Sequence, residues 1–253
     1  MRSLAAWSAR WPGVVAGVLA AAAVWATSRP GALALQAPAA PPAVYRVATT
    51  TPAVALTVNV VWGTEYVPRL LAVLQREHAR ATFFLGGAWA AAHPDLVRQL
   101  AAAGMEIGNH GYAHRHQSLL SFDANVEEIT RASRAIELAG APRPTLFAPP
   151  YGEYNRTVLE AAGALHLTTV MWTIDTIDWR PSSTPDRITE RVLSRAAPGS
   201  IVLMHPTDRT VEALPRILAG LAAKGLKAVP VGTLLKTGTP QGEAAGPGGS
   251  RTT

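Results

Sequence analysis

The sequence predicts an α/β fold built on a parallel sheet. From Val54 onward, short apolar runs alternate with amphipathic helical segments in about seven successive units, a pattern typical of parallel strands covered by helices. Periodicity alone leaves two architectures open, an open doubly wound sheet and a closed or incomplete (β/α) barrel. Both place the functional loops at the carboxyl ends of the strands. The candidate strands are Val54–Trp62, Ala81–Gly86, Glu106–Asn109, Thr145–Ala148, Leu167–Ile174, Ser200–His205 and Lys227–Val231.

The segments between these strands carry the start and stop signals of helices. A predicted helix at Pro94–Ala103 begins with proline in its first turn and ends at a glycine. Another follows the N-cap candidate Ser121 and has an apolar stripe through Val126, Ile129 and Ile136. The predicted helices are Pro68–Ala79, Pro94–Ala103, Ser121–Ala139, Arg187–Ala196 and Val211–Ala223, the last of them shortened or bent by Pro215.

The amino-terminal segment predicts export. Arg2 and Arg10 precede an uncharged stretch whose apolar centre is Val14–Ala26. This centre suits a signal peptide and is shorter than the ~20 residues of a comfortable membrane span. We therefore predict that residues 1–34 are a cleaved signal peptide or an uncleaved membrane anchor, so that the protein is extracytoplasmic, either secreted or membrane-anchored.

Composition also predicts where the folded domain begins and ends. Residues 35–53 are rich in Pro and Ala and predict a linker. Residues 54–236 carry the strand and helix patterns and predict the folded domain. Residues 237–253 consist mostly of Gly, Pro, Thr, Ser and Ala without an apolar period, and they predict a disordered tail.

Charge and cysteine content narrow the classes of partner. The chain has 253 residues, no cysteine and a formal net charge of +6. Without cysteine, neither a disulfide framework nor a thiolate metal site can form. The positive charge favours an anionic partner such as a cell-wall polymer, a membrane surface or a nucleic acid. Because the Arg residues are scattered and no basic run is interleaved with aromatic residues, we predict that the chain does not bind nucleic acid.

Polar residues interrupt the apolar pattern where five predicted strands end, and parallel strands bring such ends to one edge of the sheet. His110 and His114 have the i, i+4 spacing that lets a helical turn or tight loop direct two imidazoles at one metal ion. Taken singly, each polar residue has an ordinary explanation as a surface histidine, a helix cap or a turn residue. Their order on successive β-α units favours a shared pocket. The residues are Asn59, His110, His114, the Pro149–Gly152 turn, Asp175, Asp178 and His205.

Five motifs in this order resemble those of the polysaccharide deacetylase family, the proteins with a chitooligosaccharide-deacetylase homology domain. The resemblance covers the chain from about Val54 to Leu235. Within the family, residues 59–65 and 203–207 are similar to a divergent subgroup associated with sporulation in Gram-positive bacteria. The motifs are Ala81–Leu85, Glu106–His114, Phe147–Gly152, Trp172–Trp179 and Ile201–His205.

The resemblance implies a distorted, incomplete (β/α)7 barrel, which selects between the two architectures. It implies a divalent metal, usually zinc, on His110 and His114 together with one Asp, with an open position for water. Such an enzyme removes N-acetyl groups from glycans such as peptidoglycan or chitooligosaccharide. The metal polarises the acetamide carbonyl, an Asp is the general base and a His is the general acid.

Carried over to this sequence, the resemblance assigns individual roles. His205 would be the general acid and Asp178 the carboxylate that orients it, while Asn59 stands at the position of the catalytic base. The backbone N–H of Tyr151 would contribute to the oxyanion site. The substrate-binding residues that the resemblance implies are Pro150, Tyr151, Trp179 and Leu203.

Three positions depart from the family pattern. Asn59 replaces the base, and an amide cannot take a proton at neutral pH. The metal-binding Asp falls on Val60, or on Val61 where the D-x-D form of the motif is the guide, and neither side chain can bind a metal. Ala148 replaces the Arg that orients the base.

Three hypotheses for function follow. In the first, the chain is an exported hydrolase acting on N-acetyl groups of cell-wall glycan, with a weakened metal site and reduced activity. In the second, it is a catalytically inactive glycan-binding or interaction protein of the cell envelope. In the third, it is a metal-dependent amidase or esterase on a non-glycan substrate. The retention of His110, His114, Asp178 and His205 favours the first.

Overall fold

The computed structural model describes residues 40–243, and its centre is a curled parallel sheet. Eight strands form this sheet in the order β6-β5-β4-β3-β2-β8-β7, with β9 beside the first half of β2. All pairings within it are parallel. The α/β class and the incomplete barrel are thereby confirmed. The strands are β1 Ala43–Ala48, β2 Ala53–Val60, β3 Thr82–Leu85, β4 Glu106–Asn109, β5 Leu146–Phe147, β6 Thr168–Thr169, β7 Ile174–Asp175, β8 Ile201–Met204, β9 Lys227–Val229 and β10 Thr239–Glu243.

Helices follow most of the strands, and side-chain caps begin several of them. Ser121 accepts a hydrogen bond from the Ala124 N–H, as expected of an N-cap. Asn155 caps the helix of Arg156–Ala164 in the same way, and that helix was not predicted. The helices are α1 Val67–Arg76, α2 Gly87–Ala92, α3 Pro94–Ala102, α4 Phe122–Leu138, α5 Arg156–Ala164, α6 Pro185–Arg195, α7 Asp208–Ala223 and α8 Val231–Leu235.

Helix α7 is longer than predicted, because it starts at Asp208 and runs through Pro215. Its apolar face, which includes Leu214, Ile217 and Leu221, is buried. Such burial stabilises a helix enough to tolerate one missing backbone donor. Short 3₁₀ turns at Gln117–Leu119 and Pro150–Gly152 complete the described elements.

Strand β2 shows how the two faces of the sheet are used. Its side chains at Val54, Leu56, Val58 and Val60 belong to the core between sheet and helices. The alternate residues Ala53 and Ala55 face the barrel interior. Because both faces of this strand are covered, its sequence is a nearly continuous run of apolar residues. Because every second residue of a strand points to the same face, Thr57 and Asn59 at the carboxyl end of β2 also face the barrel interior.

The structure corrects the predicted domain boundaries. Residues 43–48, predicted as linker, form β1, and residues 239–243, predicted as disordered tail, form β10. The two strands pair antiparallel into a ribbon. Val44 and Val47 of β1 are buried, so the folded domain begins before Val54.

Residues 167–174, predicted as one strand, form two. Strand β6 pairs with β5, whereas β7 pairs with β8 on the far side of the sheet. The chain between them crosses the open side of the barrel and contacts the ribbon, because the Met171 N–H donates to the Val44 carbonyl. An isolated bridge joins Arg46 of the ribbon to Ser200 before β8.

The predicted signal peptide or anchor, residues 1–34, lies outside the described residues. Within residues 40–243, no helix combines the length and the apolar character needed to cross a membrane.

Candidate active site

A pocket of about 460 Å³ opens at the carboxyl ends of β2, β4, β7 and β8. It brings together most of the residues that the sequence singled out. Asp178 lies behind His205, whereas Pro150 is buried and does not line the pocket. The lining residues are Asn59, His110, His114, Tyr151, Gly152, Glu153, Trp172, Asp175, Trp179, Leu203 and His205.

His205 and Asp178 form a tightly bonded pair. The His205 ring donates from Nδ1 to Asp178 Oδ1 at 2.8 Å, and its backbone N–H donates to Oδ2 at 2.6 Å. Asp178 is fully buried, and Thr210 of α7 donates a third hydrogen bond to Oδ2 at 2.6 Å. The proton on Nδ1 leaves Nε2 as the free ring nitrogen of His205. No sequence pattern indicates Thr210, because threonines with no role in a site are common in helices.

His110 and His114 face each other with ring centroids 5.0 Å apart. The His110 Nδ1 lies 2.7 Å from the Ala148 carbonyl oxygen. Since a carbonyl only accepts, Nδ1 carries the proton and Nε2 keeps its lone pair. Burial, reinforced by the nearby His114, lowers the pKa of His110 to about 3. Burial is also the largest cause that lowers the pKa of His114, and the nearby charges of His205 and His116 lower it further. Both imidazoles are therefore neutral at pH 7, the form that binds a metal.

A buried glutamate holds the loop that carries this pair. Glu128 of α4 accepts hydrogen bonds from the backbone N–H groups of Tyr112 and Ala113, at 3.2 and 3.0 Å. His114 itself has a positive φ of 51°. The anchored loop keeps this residue in a backbone conformation that non-glycine residues rarely adopt.

Tyr151 contacts the His114 ring, and the two ring centroids lie 4.4 Å apart. Its φ of 60° belongs to the left-handed region. The next residue, Gly152, has no space for a side chain, since a Cβ there would lie 2.6 Å from the Trp172 ring. His116 stacks on the outer face of Tyr151 at 4.0 Å. The turn therefore holds its tyrosine at the pocket wall.

Two further polar side chains, Asn59 and Asp175, line the pocket. Asn59 is 5 % exposed, and its Oδ1 has no hydrogen-bond partner within residues 40–243. Asp175 accepts a hydrogen bond from the Ile177 N–H at 2.7 Å. Burial raises the pKa of Asp175, against smaller opposing effects of that hydrogen bond and of His205.

Successive side chains along a strand point to opposite faces of the sheet. This distinguishes Val60 from Val61, the two positions where the metal-binding Asp of the family could fall. Val60 is fully buried in the core between sheet and helices. Val61 is half-buried, and its Cγ1 lies 2.6 Å from the place where a Cβ on Gly86 would stand. Gly86 continues the inward series of β3 that includes Phe84. Val61 is therefore on the interior side of the sheet, and the D-x-D form of the motif is the better guide.

The donor set does not fit a complete catalytic metal centre. Within residues 40–243, no group of three or more His, Asp or Glu side chains is arranged to hold a metal ion. Catalytic zinc sites use three protein ligands and an open position. His110 and His114 supply two, and the position for an acidic ligand holds Val61. No catalytic step is therefore assigned to a metal in this chain.

Comparisons with known proteins agree with this fold. The profile of the family described as Polysaccharide deacetylase matches residues 46–170. Over 199 residues the chain is 33 % identical to the chitooligosaccharide deacetylase of Sinorhizobium fredii, covering 72 % of this chain and 91 % of that one. It is 38 % identical to the uncharacterized protein YlxY of Bacillus subtilis, over 73 % of this chain. The chain spans only 58 % of the length of YlxY.

Among solved structures, similar ones include BA3943 of Bacillus anthracis, described as a CE4 family pseudoenzyme. The TM-score is 0.75 at 38 % identity, covering 77 % of this chain and 69 % of that one. A mutant of BA3943 described as having restored enzymatic activity matches with the same TM-score. Deacetylases and a pseudoenzyme are thus both among the relatives. On this identity and coverage, together with its motifs and its barrel, the chain belongs to the polysaccharide deacetylase family.

Proposed function

We propose that the chain binds N-acetylated cell-wall glycan, peptidoglycan or a chitooligosaccharide-like chain, in this pocket and deacetylates it far more slowly than a complete family member. One observation carries the proposal. The pocket retains the His205–Asp178 pair, but Asn59 stands where the general base is expected.

The chemistry of the two sides of the pocket is unequal. His205 is held by Asp178 through Nδ1, so Nε2 of the doubly protonated ring is the nitrogen that would deliver a proton to a leaving amine. On the other side, the Asn59 amide can position a water molecule but cannot take its proton. Loss of a general base typically lowers the rate by ~10²–10⁴. Binding requires neither step, so it survives the substitution.

Acetate release from N-acetylglucosamine oligomers tests the proposal. The chitooligosaccharide deacetylase of Sinorhizobium fredii is the positive control, and calorimetric titration measures binding by this chain. We expect measurable binding together with acetate release at least ~10² slower than the control. Release at the rate of the control would contradict the loss of the base, and an absence of binding would contradict the glycan partner.

A second proposal concerns the metal site. We propose that His110 and His114 bind a divalent ion, zinc first, more weakly than a complete three-ligand site. Zinc titration followed by elemental analysis compares wild type with His110→Ala and with the control His93→Ala, which alters a histidine outside the pocket. We expect wild type and His93→Ala to hold zinc and His110→Ala to lose it. Equal zinc content in all three proteins would exclude the pair as the ligands.

The location of the protein follows from the sequence of residues 1–34. An Arg-flanked apolar stretch before a Pro/Ala-rich segment supports export, with the barrel outside the cytoplasm. Protease treatment of intact cells that express the chain tests whether the barrel domain lies outside the cytoplasm. We expect the barrel domain to be degraded or found in the medium, and complete protection in intact cells would refute export.

A further inference from the structure

Asn59 combines burial with an unused hydrogen-bonding atom. The residue is 5 % exposed and lines the pocket, and its Oδ1 has no hydrogen-bond partner within the described residues. Leaving a buried acceptor unpaired is unfavourable, and native structures keep such atoms where a ligand or another function uses them. The inward series of β2 ends at this residue, so the amide is fixed to a rigid strand rather than to a loop.

Four titratable side chains that line the pocket with Asn59 already have hydrogen-bond partners. His110 Nδ1 lies 2.7 Å from the Ala148 carbonyl oxygen, and Asp175 accepts from the Ile177 N–H at 2.7 Å. Glu153 is bonded to His116 and Ser118, and His205 to Asp178. The Asn59 Oδ1 is thus a buried acceptor of the lining that has no partner within the described residues.

We propose that Asn59 is a specificity-determining residue that makes the pocket a receptor for intact N-acetyl groups and selects against deacetylated amino sugar. This inference rests on the proposed function. The Asn59 Oδ1 accepts the N–H of the acetamide, while the methyl group contacts apolar walls such as Leu203 and Trp172. A free amine is cationic at neutral pH, and the neutral amide of the buried Asn59 gives it no compensating charge.

An aspartate at this position would have the opposite preference. A carboxylate accepts from an acetamide N–H but also forms a charge-assisted hydrogen bond with an ammonium group, which is about twice as strong as a neutral one. The Asn thus does more than remove a base, since it changes which form of the glycan the pocket holds. In the deacetylation proposed above, the preferred ligand is the substrate rather than the product.

The experiment measures the affinity of two tetramers, one of N-acetylglucosamine and one of glucosamine, by calorimetry at pH 7 with EDTA present. Wild type is compared with Asn59→Asp and Asn59→Leu. The matched control Gln241→Glu makes the same amide-to-acid change on the exposed strand β10. Circular dichroism verifies that each variant is folded.

We expect wild type and Gln241→Glu to bind the acetylated tetramer about tenfold more tightly than the glucosamine tetramer, the effect of roughly one hydrogen bond. Asn59→Leu should lose about tenfold for the acetylated tetramer, and Asn59→Asp should reduce or invert the preference. If wild type binds both tetramers equally, or if Asn59→Leu binds the acetylated one as well as wild type does, the inference is wrong while the proposed function stands. If wild type binds neither tetramer, both are wrong.

Discussion

At the scale of single residues, one buried carboxylate connects the pocket to the helix behind it. Asp178 accepts two hydrogen bonds from His205 and one from Thr210, and the Thr210 hydroxyl lies 2.8 Å from that of Thr207, the N-cap of α7. The orientation of His205 therefore depends on the start of α7. Thr210 is a positioning residue, because it acts on the pocket only through Asp178.

Removing the Thr210 hydroxyl should disturb His205 specifically. Thr82 is a matched control, because both threonines are fully buried and each donates to a carboxylate at 2.6 Å, Thr82 to Glu106. We expect Thr210→Val and Thr82→Val each to lower the free energy of unfolding by about 1–3 kcal/mol. Only Thr210→Val should shift the imidazole ¹⁵N signals of His205 away from the Nδ1–H tautomer, and Thr210→Ser should restore them. Identical His205 spectra for the two valine variants would show that Thr210 has a structural role only.

At the scale of elements, the alternation of β2 decides what each position can do. Asn59 faces the pocket, Val60 the core beneath the helices, and Val61 the interior again. The sequence alone places the lost metal ligand on Val60, or on Val61 where the D-x-D form of the motif is the guide. They are one residue apart, and a shift of one residue moves a side chain to the other face of a sheet.

Rebuilding the site should therefore succeed at one position and fail at the other. In the presence of zinc, Asn59→Asp with Val61→Asp and Ala148→Arg should release acetate from N-acetylglucosamine oligomers about 10²–10⁴ faster than wild type. Replacing Val61→Asp by Val60→Asp places an unpaired charge in an apolar core and should cost about 3–5 kcal/mol of stability. Acetate release and urea unfolding measure the two effects. An active, stable variant carrying Val60→Asp would show that the two positions are assigned the wrong way round.

At the scale of the whole molecule, the sequence predicted the barrel and most of the pocket but not what closes the open side. The strands with long apolar runs and the histidines at strand ends could be predicted, because burial and spacing leave direct traces in sequence. The ribbon of β1 and β10 could not. Strand β1 follows a Pro/Ala-rich segment. In β10, residues 239–242 are exposed and include Pro240 and Gly242, residues that disfavour strands. Each strand is ordered by the other, and paired residues such as Ala48 and Thr239 are 191 residues apart in sequence.

The ribbon should contribute measurably to stability, although part of it was predicted to be disordered. A chain ending at Lys236 lacks β10, whereas a chain ending at Glu243 keeps it and is the matched control. Without β10, strand β1 loses its antiparallel partner, and the hydrogen bond from Thr49 to the Thr237 carbonyl is lost as well. Each lost hydrogen bond contributes about 0.5–1.5 kcal/mol. We therefore expect the free energy of unfolding of the shorter chain to be about 2–4 kcal/mol lower than that of the control. For a domain of this size each kcal/mol lowers the Tm by about 2–4 °C, which calorimetry resolves. Equal Tm values for the two truncated chains would mean that β10 does not stabilise the fold and that the barrel is closed by β1 alone.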